Sequence, residues 1–296
     1  TWTTAGWSRS SRPSEAPPIS AVAARATAPA RRLSADGRAS TALSVGVIST
    51  YLLVIVVLPI AALIWEAKKG GGHAFWQVVS SPEAVGALKL TFAAAFVVVL
   101  INAVLGTITA WVLVRDDFPG KSLVNSVIDL PFALPTIVAG LTLLTLYGPN
   151  SPVGIDIAFT RAAIMLALSF VTLPFVIRTV QPVLIELDVE MEEAARSLGA
   201  SQFTVFRRIV LPNILPGILS GSVLALARAL GEIGAIVLVA GSTLHTEVAS
   251  VFIFNVIQDG EPAQAAAVAI VLLGAAFVLL LAVGALRFYA TRHERA

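Results

Sequence analysis

Six stretches of this chain are each apolar over a length that matches the hydrocarbon thickness of a bilayer, and that feature removes most of the folds open to 296 residues. They cover about 42–65, 85–114, 123–147, 162–180, 214–240 and 263–287, with at most one or two charges each, mostly near an end. A hydrocarbon core of about 30 Å takes roughly 20 helical residues. Hydrocarbon offers no hydrogen-bond partner, so runs this long must satisfy their backbones internally, as helices do. The expectation is an all-α membrane protein with six spans. Composition agrees, at 57% hydrophobic and 13% charged residues. The first run is too long for a signal-peptide core and has no small-residue cleavage site before Glu66-Ala67-Lys68-Lys69, so it reads as a retained span.

Residues 1–40 are rich in Ser, Ala, Pro and Arg, and such a segment buries too little apolar surface to offset its ordering entropy. A disordered cytoplasmic tail is expected there, then a transmembrane domain over 41–290 and a short cytoplasmic tail over 291–296. The chain has no cysteine, which excludes disulfides and thiolate sites. A net charge of +2, which hides long charge-free stretches separated by short basic ones, argues against bulk nucleic-acid binding and leaves lipid as the surrounding partner.

Orientation follows from the Lys and Arg census. With the N-terminus cytoplasmic, that side receives Arg9, Arg12, Arg25, Arg31, Arg32 and Arg38, then Arg115 and Lys121, then Arg178, Arg196, Arg207 and Arg208, then Arg287, Arg292 and Arg295, which makes fifteen. The other side receives at most four: Lys68, Lys69, Lys89 and Arg161. The positive-inside rule then places both termini in the cytoplasm of a plasma or inner membrane.

Between the fourth and fifth runs lies a polar connection over 181–212 that reads as a structured elbow. Asp188 is placed to cap a helix whose first turns carry Glu190, Glu192 and Glu193, favourable at the positive end of a helix dipole. Met191, Ala194, Ala195 and Leu198 follow helical spacing and form one apolar stripe with charge opposite. Gly199 supplies a left-handed stop. Ser201 caps a second helix in which Phe203, Phe206 and Val210 share a face beside Arg207 and Arg208, and Leu211-Pro212 ends it. Amphipathicity alone fits equally a surface helix packed on its own bundle or on headgroups.

The string Glu193-Ala194-Ala195, three residues, Gly199, nine residues, Ile209, one residue, Leu211-Pro212 resembles at every fixed position the EAA-x3-G-x9-I-x-L-P signature of binding-protein-dependent ABC importer permeases. Further strings are similar to the sulfate/thiosulfate permease branch, T-type (U-type) subunit: Phe118-Pro119-Gly120-Lys121-Ser122, Asp129-Leu130-Pro131-Phe132-Ala133-Leu134-Pro135-Thr136, Val138-Ala139-Gly140-Leu141-Thr142-Leu143, Phe175-Val176-Ile177-Arg178-Thr179-Val180-Gln181-Pro182 and Arg228-Ala229-Leu230-Gly231-Glu232-Ile233-Gly234-Ala235. Molybdate permeases share much of this pattern, and Leu134-Pro135-Thr136 with Leu146-Tyr147-Gly148 favours sulfate. The resemblance implies a type I ABC importer permease fold in which the elbow is a coupling helix held by an ATPase. It also implies a dimer of ABC ATPases carrying ATP and Mg, a second permease subunit (W-type), an extracytoplasmic sulfate-binding protein, and no cofactor or catalysis in this chain.

Arg228 and Glu232 stand four apart inside the fifth run, so they share a helix face and can pair. An intramembrane pair belongs in the bundle interior, as part of a pathway or gate or as a self-neutralised structural contact. Thr136, Thr142, Ser220 and Ser222 offer hydroxyl donors to an oxyanion, against the ordinary use of such groups on the preceding turn of their own helix. Thr136 and Ser222 are the pathway candidates. Pro131, Pro135 and Pro174 are expected to bend their spans. Gly120-Lys121-Ser122 is no phosphate loop, because the first glycine of that motif falls on Arg115. His73, His245 and His293 lack metal-ligand spacing, so no metal is assigned. The rival readings are a molybdate/tungstate ABC permease, an ion-gradient-driven secondary anion transporter, and a membrane-anchored enzyme or scaffold. A secondary transporter calls for ionisable groups in several spans and an inverted repeat, and an enzyme for a catalytic cluster; neither pattern stands out.

Overall fold

The computed structural model describes residues 35–241 and 246–292, with side chains over 43–241 and 246–285, and all regular structure among them is helical. The expected disordered segment therefore lies outside the described residues up to 34, while 35–40 already belong to a helix. The last four residues of the expected C-terminal tail also lie outside.

The chain divides at Pro59 into two units. The first holds α1 (Ala35–Leu52) and a π-helical turn, Leu53–Val57, whose side chains from Leu43 onward are all exposed. α2 (Leu58–Lys68) completes the first span, and in the second unit its Ala67 is buried with Ala266 and Ala267 at the start of the last helix. A short helix α3 (Gly71–Val79) follows. α4 (Pro82–Arg115) starts on a Ser81 side chain that accepts from Ala84 N–H at 3.2 Å, with proline at the first position and Glu83 in the first turn. Its small residues Ala84, Ala87, Ala94, Ala95 and Ala110 lie on the buried face at helical spacing.

The third expected span is two helices, α5 (Lys121–Ala133) and α6 (Thr136–Tyr147), bent by 117°. Pro135 causes the break: it lacks an N–H and pushes Leu134 to an extended backbone at φ −86°, ψ 136°. Pro131 is tolerated inside α5. α7 (Arg161–Glu186) is capped by Thr160 and runs on past Pro174 and Pro182, so it exceeds the expected end at residue 180.

The relative direction of α4 and α7 decides whether the bent pair crosses the membrane or turns back. Asn102 of α4 bonds to Ser169 and Thr172 of α7, Gly106 lies against Val176 and Ile177, and Arg115 reaches Leu187 just beyond α7. Residue numbers rise together, so the two helices are parallel. A chain that leaves one end of α4 and re-enters at the start of a parallel α7 has to cross back once between them. The bent pair α5–α6 is therefore one broken span, and the six-span expectation holds.

After α7 come α8 (Val189–Ser197) and α9 (Gln202–Val205), then a π-helical turn, Phe206–Val210, and α10 (Leu211–Leu230). The expectation that Pro212 ends the second elbow helix is wrong. Helix continues from Gln202 to Leu230 as the fifth span, because Leu211 N–H bonds back to Phe206 in the wider π register, which makes room for the proline ring one residue later. The fifth span also stops short of residue 240: it ends at Leu230, and a non-helical turn leads to the one-turn helix α11 (Ile236–Val239). α10 runs antiparallel to α7, with its Gly217 and Gly221 against Val180 and Val176 respectively. α12 (Ala249–Gln258) and α13 (Pro262–Arg292) complete the fold.

Candidate functional site

The elbow forms where its caps place it. The Asp188 carboxylate accepts from Glu190 N–H at 2.9 Å, and Glu190, Glu192 and Arg196 match the helix dipole at their respective ends. At the other end Gly199 has φ 85°, with Gly199 N–H bonded to Arg196 and Ala200 N–H to Ala195, the paired closure of a Schellman motif. Ser201 accepts from Thr204 N–H at 3.3 Å and starts α9.

What seats the elbow is not its apolar stripe. Glu192 is buried, 2% exposed, and holds Arg115 of α4 at 2.7 Å and Arg196 at 3.1 Å. Arg115 also donates to Leu187 carbonyl at 3.5 Å and lies 5.9 Å from the Trp111 ring, which meets Phe206 edge to face at 5.6 Å. The stripe points away: Met191, Ala194 and Leu198 are exposed, Leu198 by 89%, and only Ala195 is half-buried. Glu193 is exposed with them. The expectation of one face for Phe203, Phe206 and Val210 fails too, since Phe203 is exposed and Val210 buried, with the π turn shifting the register between them. Ile209 and Leu211 are half-buried beside the core, and Pro212 is exposed.

The second feature is a meeting of two helix breaks. A Cβ on Gly140 of α6 would lie 2.6 Å from Ala235 carbonyl oxygen, and one on Gly234 would strike the Thr136 hydroxyl and lie 3.0 Å from Ile137 nitrogen. Only glycine permits this approach, and it brings the start of α6 against the turn that follows α10. In that turn Glu232 pairs with Arg228, Oε2 to Nη1 at 2.6 Å, by distance and charge without hydrogen-bond alignment. Its Oε1 accepts from Ala235 N–H at 2.9 Å, and its carbonyl accepts from Ser250 Oγ at 2.8 Å. The pair expected from spacing is therefore present and also ties the turn together.

The four hydroxyl candidates separate. Thr142 donates to Val138 carbonyl and Ser220 to Pro216 carbonyl, each on the preceding turn of its own helix. Thr136 and Ser222 are half-buried, and neither hydroxyl bonds to another described residue.

Sequence reasoning missed the Arg115–Glu192 pair and one more. Arg178, counted among the cytoplasmic-side cations, lies inside α7 and forks onto Asp129 of α5, with Nε to Oδ1 at 2.8 Å and Nη2 to Oδ2 at 2.6 Å. The available signal was that each residue is a charge within an apolar run, a rare and costly placement.

A family model described as binding-protein-dependent transport system inner membrane component matches residues 103–290. The sulfate transport system permease protein CysT of Synechocystis sp. is 44% identical over 251 residues, 82% of this chain and 88% of that protein. The protein of the same name in Salmonella typhimurium is 42% identical over 253 residues, 83% of this chain and 91% of that one. Among solved structures, a chain of a bacterial ABC transporter involved in the import of the acidic polysaccharide alginate superposes with a TM-score of 0.73 at 20% identity, over 87% of this chain and 99% of that chain. That likeness speaks for the fold alone.

Proposed function

We propose, from the premise that this chain belongs to the binding-protein-dependent transport system inner membrane components, that it is the permease subunit of an ATP-driven sulfate importer. It is a multi-pass membrane subunit with no catalysis of its own. Sulfate is the cargo because the relatives that align with most of this chain are named sulfate permeases.

The observation that carries the mechanism is the inverted elbow. An apolar stripe left outward while a buried carboxylate clamps the opposite face is suited to a partner, and a freely exposed stripe of this kind is otherwise unfavourable. The partner is an ABC ATPase dimer that holds ATP and Mg, with Glu193, Ala194, Ala195 and Gly199 at the contact and Ile209, Leu211 and Pro212 joining the lever to the fifth span. The elbow therefore faces the cytoplasm, as do both termini. A second, W-type permease subunit completes the pathway, and an extracytoplasmic binding protein delivers sulfate or thiosulfate. Thr136, Arg228 and Glu232 stand on or beside that pathway at the meeting of the two breaks, with Ser222 about two turns earlier along α10. Importing a dianion against an inside-negative potential costs about 2.3 kcal/mol per charge per 100 mV, so an external energy source is physically sensible.

The test is sulfate uptake by proteoliposomes that hold the permease pair, with and without the ATPase, with binding protein supplied. ATP-dependent uptake that molybdate does not compete away is expected. Sulfate uptake indifferent to the ATPase would refute the coupling, and preferential molybdate uptake would reassign the cargo.

A further inference from the structure

We propose that the Arg178–Asp129 fork is a transient oxyanion site, in which the transported dianion displaces the Asp129 carboxylate from the guanidinium and is then released by its return. This rests on the oxyanion-import reading above.

The guanidinium is saturated. Beyond the two bonds to Asp129, Nη2 donates to Asn125 carbonyl at 3.0 Å, and Nη1 donates to Asn125 Oδ1 at 3.2 Å and Gln181 Oε1 at 2.6 Å. Of these partners only Asp129 carries charge. Neutral oxygens hold one side of the guanidinium in place, and the Nε–Nη2 edge is turned toward a pair of carboxylate oxygens. That edge is the one through which arginine takes two oxygens of a tetrahedral oxyanion, so sulfate fits where the carboxylate now sits.

The fork is partly open and lies between about two and three helical turns in from the elbow end, since Asp129 follows Lys121 by about 12 Å of helix and Arg178 precedes Leu187 by about 13 Å. The Asp129 side chain is nevertheless 48% exposed and that of Arg178 32%. An ion pair this open is costly against lipid, and in the proposed mechanism its open side faces the water of the assembled pathway. The other intramembrane pair differs on this point. The Glu232 side chain is wholly buried, and its second oxygen caps Ala235, so it cannot leave Arg228 without undoing the turn.

Electrostatics suits transit rather than storage. A lone arginine there would hold a dianion tightly, whereas here the dianion must displace a tethered carboxylate, which turns a neutral pair into a site with excess negative charge and so weakens the hold. Once displaced, Asp129 repels the cargo and competes for the same edge, which shortens its stay.

The experiment uses the assembled complex of permease pair and ATPases, with radiolabelled sulfate as the probe. Asp129→Asn is expected to raise sulfate retention by the purified complex, measured without binding protein, about tenfold or more, and to slow uptake by a similar factor while ATP hydrolysis persists. An assembled Asp129→Asn complex that retains sulfate as the wild type does overturns the proposal. Should that variant fail to assemble, Arg178→Lys decides. Lysine keeps the charge for Asp129 but lacks the fork, so assembly with about tenfold slower uptake is expected. Wild-type uptake by Arg178→Lys, or its failure to assemble, marks the fork as a packing device and also overturns the proposal. A wild-type complex that imports no sulfate refutes the importer reading itself, which is a separate outcome.

Discussion

Replacing Glu192 with alanine is expected to detach the elbow from the bundle while leaving the spans inserted. The carboxylate is buried and ties the first elbow helix to α4 through Arg115 at 2.7 Å, while its second pair, to Arg196 at 3.1 Å, lies within the elbow helix itself. Arg196 is 44% exposed, so its share is small, of order 0.5 kcal/mol. Arg115 is only 17% exposed and keeps just a long bond to Leu187 carbonyl and the Trp111 face once Glu192 is gone. Loss of one partner of a fully buried pair costs about 3–5 kcal/mol, and the residual solvent access of Arg115 lowers this to about 2–3 kcal/mol. At about 1.4 kcal/mol per factor of ten, local opening of Val189–Ser197 should rise roughly 30- to 150-fold. Hydrogen exchange of the elbow amides in nanodiscs reads this directly, with Arg196→Ala as an internal control expected to change exchange less than about threefold. Sulfate uptake should fall with the opening, while ATP hydrolysis continues uncoupled. Elbow protection equal to wild type in Glu192→Ala would show that the clamp carries no weight, and normal uptake despite lost protection would show that a seated elbow is not needed.

Three other outcomes are expected. Gly199→Val places a β-branched residue at φ 85°, at a backbone cost of at least 1–2 kcal/mol, with no side-chain clash because nothing lies within 4 Å; uptake should be lost with insertion unchanged, and wild-type uptake would contradict the pivot. Leu198→Glu and Glu193→Arg alter only the outward face, so ATPase copurification should drop without a change in the thermal stability of the permease pair; retained copurification of both variants would move the contact elsewhere. Gly140→Ala drives a methyl group to 2.6 Å from Ala235 carbonyl oxygen, and the two breaks should separate, with lower thermal stability and slower uptake; a variant as stable and as active as wild type would show that their close approach is dispensable.

The local features of this protein were readable because their causes are local. Hydropathy over about 20 residues marks a span whatever surrounds it. The Asp188 and Ser201 caps, the Gly199 stop and the Arg228–Glu232 pair each depend on residues within five positions of one another. Where two local signals competed, the reading failed: Pro212 reads as a stop, and a π turn just before it carries the helix on.

The amino-acid sequence thus determined, by itself, the six spans and the caps and stop of the first elbow helix. Only the tertiary structure decided which face of the elbow is held. A helix with apolar residues on one side and carboxylates on the other is expected to bury the apolar side. Here Arg115 stands 77 positions before Glu192 and waits at the end of α4, so Glu192 goes in while Met191, Ala194 and Leu198 are left exposed. The same holds for Asp129 and Arg178, 49 positions apart, and for Gly140 with Ala235, which meet because a 117° break folds one span against the end of another. Partners that distant in the chain are chosen by packing, and no periodicity, cap or spacing encodes them.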